Sequence, residues 1–154
     1  MDLILWRHAE AHDAKPGQDD MERALTPKGE RQARRIGEWL DGVLPASTRV
    51  LVSPALRTQQ TARALPRKAR TQVELAPGAQ VIDLLDATGW PNGERPVLVV
   101  GHQPTLGLVA STLLTGGTPQ PWSIRKGGVW WLRRREREGV VEVLLECVKA
   151  PGQP

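Results

Sequence analysis

Leu3-Ile4-Leu5-Trp6-Arg7-His8 is the stretch on which the fold turns. Four consecutive apolar residues read as a strand buried on both faces, the pattern of a parallel sheet covered by helices. The strand ends on Arg7-His8. In open α/β sheets the carboxyl ends of strands are where ligands bind. A guanidinium there offers a planar fork of donors, and an imidazole beside it can serve as nucleophile, base or metal ligand. Taken alone, the pair has two readings: a reactive site, or an arginine paired with a carboxylate beside a satisfied core histidine.

Working outward, the same design recurs twice. Val50-Leu51-Val52 ends on Ser53-Pro54 and enters a helical pattern over 56–65, which Pro66 stops and for which Ser53 is the expected cap. Val97-Leu98-Val99-Val100 ends on Gly101-His102, and a helix follows with Leu106, Val109, Ala110, Leu113 and Leu114 on one face before Gly116-Gly117 closes it. Between the first two strands, Thr26-Pro27 supplies an N-cap with proline at the first helical position. Ala33, Ile36, Leu40 and Val43 line one side of that helix, the crossover that a parallel pair requires. The apolar runs 129–132 and 140–145, separated by a charged segment, predict a hairpin, or one added strand and an edge strand. The expected fold is therefore α/β: a single-domain, three-layer αβα sandwich with a mostly parallel central sheet and an antiparallel edge strand. The domain is expected over 1–150, with 151–154 a disordered tail.

Composition narrows the class. The chain of 154 residues suits one domain, and 40% hydrophobic with 25% charged residues is ordinary for a soluble globular protein. No stretch approaches the roughly 20 apolar residues of a membrane span. The N-terminus lacks the basic-then-apolar pattern of a signal peptide and is expected to be part of the fold. The single cysteine, Cys147, excludes an internal disulfide; it closes an apolar run and is expected to be a buried structural thiol in a cytoplasmic protein. A net charge of +4 favours anionic partners. The basic clusters at 31–35, 63–70 and 133–137 read as solvated faces. All six aromatics are tryptophan, and only Trp130-Trp131 adjoins a basic cluster, so nucleic acid is not an expected partner.

If the three strands lie near one another, Arg7, His8, Ser53, Arg57 and His102 converge at one crevice. Arg57 falls in the first turn of its helix, where free backbone N–H groups and the guanidinium face the same anion. Two arginines give charge-assisted bonds to phosphoryl oxygens, one histidine can attack phosphorus, and the other can donate to an equatorial oxygen. Guanidinium charge nearby is expected to keep His8 neutral. A metal site is not expected: His12 lies in a polar loop, no carboxylate sits at ligand spacing with His102, and the arginines repel a cation.

These residues resemble the histidine phosphatase superfamily. Arg7-His8-Ala9-Glu10-Ala11 is similar to its Arg-His-Gly/Ala motif. Leu25-Thr26-Pro27-Lys28-Gly29, then Ser53-Pro54 through Arg57 to Thr61-Ala62, then Gly101-His102-Gln103-Pro104 match its later motifs in order. The compact length, Glu10-Ala11 and Gly-His-Gln-Pro look most like the short SixA-type phosphohistidine phosphatases. The resemblance implies a phosphoglycerate mutase-like fold, His8 as the residue transiently phosphorylated, Arg7, Arg57 and His102 as the phosphate pocket, and no cofactor. It implies Arg23 as a further pocket arginine, against which a surface ion pair stands as the other reading.

Larger members of the superfamily carry a proton-donating carboxylate in an insertion that here shrinks to 66–96. Asp83, beside Leu84-Leu85 on a short helix, is one candidate acid, with a solvated helix face as its alternative; Glu10 is another, with an N-cap or ion-pair role competing. Imidazole, with a pKa near 6.5, leaves without such an acid more easily than an alkoxide does. The short insertion leaves an open pocket, suited to a phosphorylated side chain on another protein. The expected activity is thus a metal-independent phosphohistidine phosphatase, a monomer acting on a phosphorylated protein. The alternatives are a hydrolase or mutase of small phosphomonoesters or pyrophosphates using Asp83 or Glu10, and a non-catalytic phosphate-binding regulatory module.

Overall fold

The computed structural model describes residues 1–153. Six strands form one sheet in the order β3-β2-β4-β1-β5-β6. They are β1 (Asp2–Arg7), β2 (Arg49–Val52), β3 (Ala69–Thr71), β4 (Val97–Gly101), β5 (Val129–Arg137) and β6 (Val140–Lys149). Four helices connect them: α1 (Pro27–Val43), α2 (Leu56–Arg63), α3 (Val81–Thr88) and α4 (Thr105–Thr115). The pairs β1–β4, β2–β4 and β2–β3 are parallel, whereas β1–β5 and β5–β6 are antiparallel. The antiparallel part is thus a two-stranded hairpin on one side of β1.

Alternation along β1 builds both layers of core. Leu3 and Leu5 pack with Leu51, Val97 and Val99 against Leu84 of α3 and Leu106 and Val109 of α4. Ile4 and Trp6 pack with Val50, Leu98 and Val100 against Ile36 and Leu40 of α1 and Leu65 after α2. Helices therefore cover both faces, and β1 is buried along its whole apolar stretch. Each such side chain contributes roughly 1.5–3 kcal/mol by leaving water. This anchors the segment that carries Arg7 and His8.

Several local expectations change. Val43 is 44% exposed, because α1 turns its last residue away from the sheet while Leu44 takes the core position. Ser53 does not cap α2: the N-cap is Ala55, and Ser53 faces the site described below. The charged 133–137 belongs to β5 itself. Arg133 and Arg135 pair across the ladder with Glu146 and Glu142, which makes a strand of residues that look like a loop. Cys147 is only partly buried, at the margin of the core. The tail forms a turn in which the Gln153 N–H donates to the Ala150 carbonyl at 3.2 Å, and Pro151 lies against Gly127. Pro154 lies outside the described residues. Among the described residues no helix is long and apolar enough to cross a membrane.

Candidate active site

The parallel ladder carries the site. Arg7 is in register with Gly101, the His8 N–H donates to the Gly101 carbonyl at 3.1 Å, and the Ser53 N–H donates to the Val100 carbonyl at 3.1 Å. Three strand ends thus deliver His8, Ser53 and His102 to one place. The two imidazole rings lie 5.4 Å apart between centroids and are tilted by 53°. Thr61 of α2 ties the loop after His8 to the arginine helix: its Oγ1 accepts from the Ala9 N–H at 3.0 Å and donates to the Arg57 carbonyl at 2.7 Å.

Hydrogen bonds set the tautomer of each histidine. His8 Nδ1 lies 2.7 Å from the Ala9 carbonyl, an oxygen that only accepts, so Nδ1 carries the proton and Nε2 keeps its lone pair. Ser53 Oγ accepts from the Ala55 N–H at 3.3 Å, and its own buried proton has no acceptor among the described residues other than His102 Nε2 at 2.7 Å, to which it donates. The proton of neutral His102 then sits on Nδ1, a buried atom with no partner among the described residues. Burial, then the charge of Arg57 and Arg7, holds His8 down to about 4, although its bond to the Ala9 carbonyl pulls the other way. Burial, then Arg57, holds His102 down to about 3. Both rings are neutral at pH 7. The expectation that guanidinium charge is what keeps His8 neutral is corrected: burial is the larger cause.

The arginines are fixed by their terminal nitrogens. Arg7 Nη1 donates to the Ile124 carbonyl at 2.8 Å. Arg57, 4% exposed, donates from Nη1 to the Asp20 carbonyl at 2.8 Å and from Nη2 to the Asp20 carboxylate at 3.0 Å. The Nε atoms of both arginines are buried and unpartnered among the described residues. Two guanidinium N–H groups and one imidazole N–H, all desolvated, form a donor set that lacks only an acceptor. Buried donors left unpaired cost stability, so this arrangement makes sense as a receptor for an oxyanion.

The structure brings Arg7, His8, Ser53, Arg57 and His102 together as the sequence predicts. Arg23 forms an ion pair with Asp20 at 3.1 Å, its Nε donates to the His12 carbonyl at 2.7 Å, and its charge also depresses the His8 pKa. The ion-pair reading of Arg23 is therefore the one the geometry displays, with its charge felt at His8. Neither candidate acid is free. The Thr26 hydroxyl donates to Glu10 Oε2 at 2.7 Å and holds that carboxyl below its usual range, which favours an ionised acceptor over a proton donor. Asp83 accepts from the Gln80 N–H at 2.8 Å in the cap of α3. Sequence reasoning missed Asp20, whose carboxylate joins Arg23 to Arg57 and which those bonds hold below the usual carboxylate range. Its spacing of three from Arg23 was the one available signal. Among the described residues no three His, Cys, Asp or Glu side chains gather as a metal-ligating group.

An imidazole with a free Nε2, set among buried guanidinium donors at the carboxyl edge of a doubly covered parallel sheet, defines an α/β protein built to handle oxyanions. The sequence pattern of the histidine phosphatase superfamily (branch 1) matches residues 3–94, and the chain belongs to that superfamily. Its fold is the phosphoglycerate mutase-like sandwich found in SixA structures. It is 33% identical over 127 residues to the phosphohistidine phosphatase SixA of Escherichia coli strain K12, covering 77% of this chain and 78% of that protein. An uncharacterized protein of Picosynechococcus sp. is 31% identical over 145 residues, covering 86% and 85%. The solved structure of a protein histidine phosphatase SixA complexed with tungstate superposes with a TM-score of 0.75 at 29% identity, covering 98% of this chain and 97% of that one.

Proposed function

We propose that this chain is a metal-independent phosphatase that removes the phosphoryl group from phosphohistidine in a protein, through a covalent intermediate on His8. The observation that carries the reading is the pairing of a His8 Nε2 lone pair, freed by the Nδ1–H bond to Ala9, with the unpartnered donors Arg7 Nε, Arg57 Nε and His102 Nδ1. His8 Nε2 attacks phosphorus in line as the substrate's P–N bond breaks. The departing ring keeps that electron pair and leaves as neutral imidazole, because its other nitrogen carries a proton. The three donors hold the equatorial oxygens, where charge gathers in the transition state.

Phospho-His8 retains its proton on Nδ1, held by the Ala9 carbonyl, so it too is poised to leave as neutral imidazole. Water attacks phosphorus, the P–Nε2 bond returns its electrons to His8, and the water's proton passes to solvent with the released phosphate. No general acid is needed in either half, which accords with Glu10 being held ionised and Asp83 serving a helix cap. The relationship to the E. coli phosphohistidine phosphatase supports this substrate class over small phosphomonoesters. A tungstate complex of a SixA structure supports a tetrahedral oxyanion as the occupant. Such a substrate and a lone cysteine suit the cytoplasm.

The test is turnover of a phosphohistidine peptide by the His8→Ala variant, beside calorimetric binding of tungstate. Turnover should vanish while tungstate still binds. Unimpaired turnover without His8 overturns the mechanism, and cleavage of sugar phosphates far faster than phosphohistidine overturns the substrate.

A further inference from the structure

The site has a basic approach that the chemistry above does not use. α1 begins beside the nucleophile loop, where the Thr26 N–H donates to the Glu10 carbonyl at 3.0 Å. A groove of about 430 Å³ then runs along it, lined by Lys28, Arg31, Gln32, Arg34 and Arg35 and by the turn at Pro151. The four cations are exposed, and none forms an ion pair with a described residue. Glu38 is the one carboxylate on its wall.

Hydrogen bonds link the groove to the loop that carries the nucleophile. Gln32 Oε1 accepts from the Glu10 N–H at 2.9 Å, two residues past the nucleophile. Gly127, which lies against both Gln32 and Pro151, donates its N–H to the His8 carbonyl at 2.9 Å. Lys28 and Lys126 both act on the Glu10 carboxylate. From Lys28 to Arg35 the positive stripe extends ~10 Å down the helix, at about 1.5 Å per residue. A macromolecule presenting its phosphoryl group to His8 meets this stripe with the surface flanking the phosphorylated side chain, whereas a small substrate does not reach it.

The geometry points to this groove as a docking surface for an acidic segment flanking the phosphohistidine of the substrate protein, an inference that rests on the phosphohistidine reading above. Charge complementarity is the argument: four exposed cations, none in an ion pair with a described residue, outnumber the carboxylates near them, Glu38 on the wall and Glu10 at its head, and the excess wants carboxylates opposite. The groove has no aromatic wall on which bases stack, which favours an acidic protein over a nucleic acid. Contacts of this rim type act on encounter rate and are weakened by salt.

The experiment compares the full chain with its R31E/R35E variant on three probes: phosphoramidate, a phosphohistidine peptide flanked by glutamates, and the same peptide flanked by lysines. The unsubstituted protein should prefer the glutamate peptide in kcat/KM by roughly ten-fold or more at low salt, with the preference shrinking as salt rises. R31E/R35E should lose that preference and keep phosphoramidate turnover. An unchanged preference in the variant, or none in the unsubstituted protein, overturns the docking surface and leaves the substrate reading intact. Turnover of phosphoramidate but of neither peptide overturns both. A short RNA that competes with the glutamate peptide more strongly than polyglutamate of equal charge assigns the groove to nucleic acid and overturns the acidic partner.

Discussion

Ser53→Ala isolates the step in which a strand-end hydroxyl sets the protonation of His102. Ser53 is fully buried, and with the Ala55 N–H donating to its oxygen, its own proton goes to His102 Nε2 at 2.7 Å. Alanine keeps the shape and removes both bonds, so that Nε2 is left buried without a partner whichever tautomer forms. An unsatisfied buried group costs about 1–3 kcal/mol. If that energy supports the Nδ1–H donor in the transition state, kcat/KM on a phosphohistidine peptide falls roughly 5- to 150-fold, at 1.36 kcal/mol per decade. The ceiling is set by His102→Ala, which deletes the donor outright and should cost about 10²–10³. Imidazole ¹⁵N shifts should place the His102 proton on Nδ1 in the unsubstituted protein and on a mixture of nitrogens in the variant. Two results refute the reasoning: Ser53→Ala within two-fold of the parent while His102→Ala is crippled, or a parent protein protonated on Nε2.

Three further outcomes are expected. Asp20→Asn removes the charge that ties Arg23 to Arg57 and should lower kcat/KM roughly ten-fold, about 1.5 kcal/mol for a charge-assisted bond, with steady-state kinetics as the check. His8 and His102 are neutral when folded but bind protons near pH 6.5 when unfolded, so folding stability should fall as pH drops below 6.5 and go on falling toward about 4. The slope is about 1.4 kcal/mol per pH unit for each histidine, seen in urea melts and reduced in His102→Ala; a flat profile between pH 6.5 and 5 contradicts it. A Cβ at Gly29 would run into the Glu10 carbonyl oxygen, so Gly29→Ala should destabilise by on the order of 1–3 kcal/mol in the same melts.

Fold and site differ in how far they can be read from residues alone. The strand at 3–6 and its two repeats announce themselves because strands buried on both faces must be continuously apolar, and their ends carry Arg7, His8, Ser53 and His102 with them. β3 is hidden for the opposite reason: it is an exposed edge of three residues with no apolar face. The outer hairpin is longer than its apolar runs because Arg–Glu pairs across it tolerate solvent. Asp20 opens a single 3-10 turn in a polar stretch without periodicity, next to Asp19, where only the folded position of Arg57 gives it meaning. The role of Ser53 was displaced by one contact: the residue that looks like a helix cap turns to His102 because β4 lies beside β2 in the sheet.

If the phosphoryl group passes through Nε2 of His8, a covalent phosphoenzyme forms in every turnover. Rapid acid-free quenching of the enzyme with a ³²P-labelled phosphohistidine peptide, followed by peptide mapping, tests it most directly. A transient label should appear on His8, bonded at Nε2, stable to base, labile to acid and lost in His8→Ala. Full turnover with no label on His8 would contradict it.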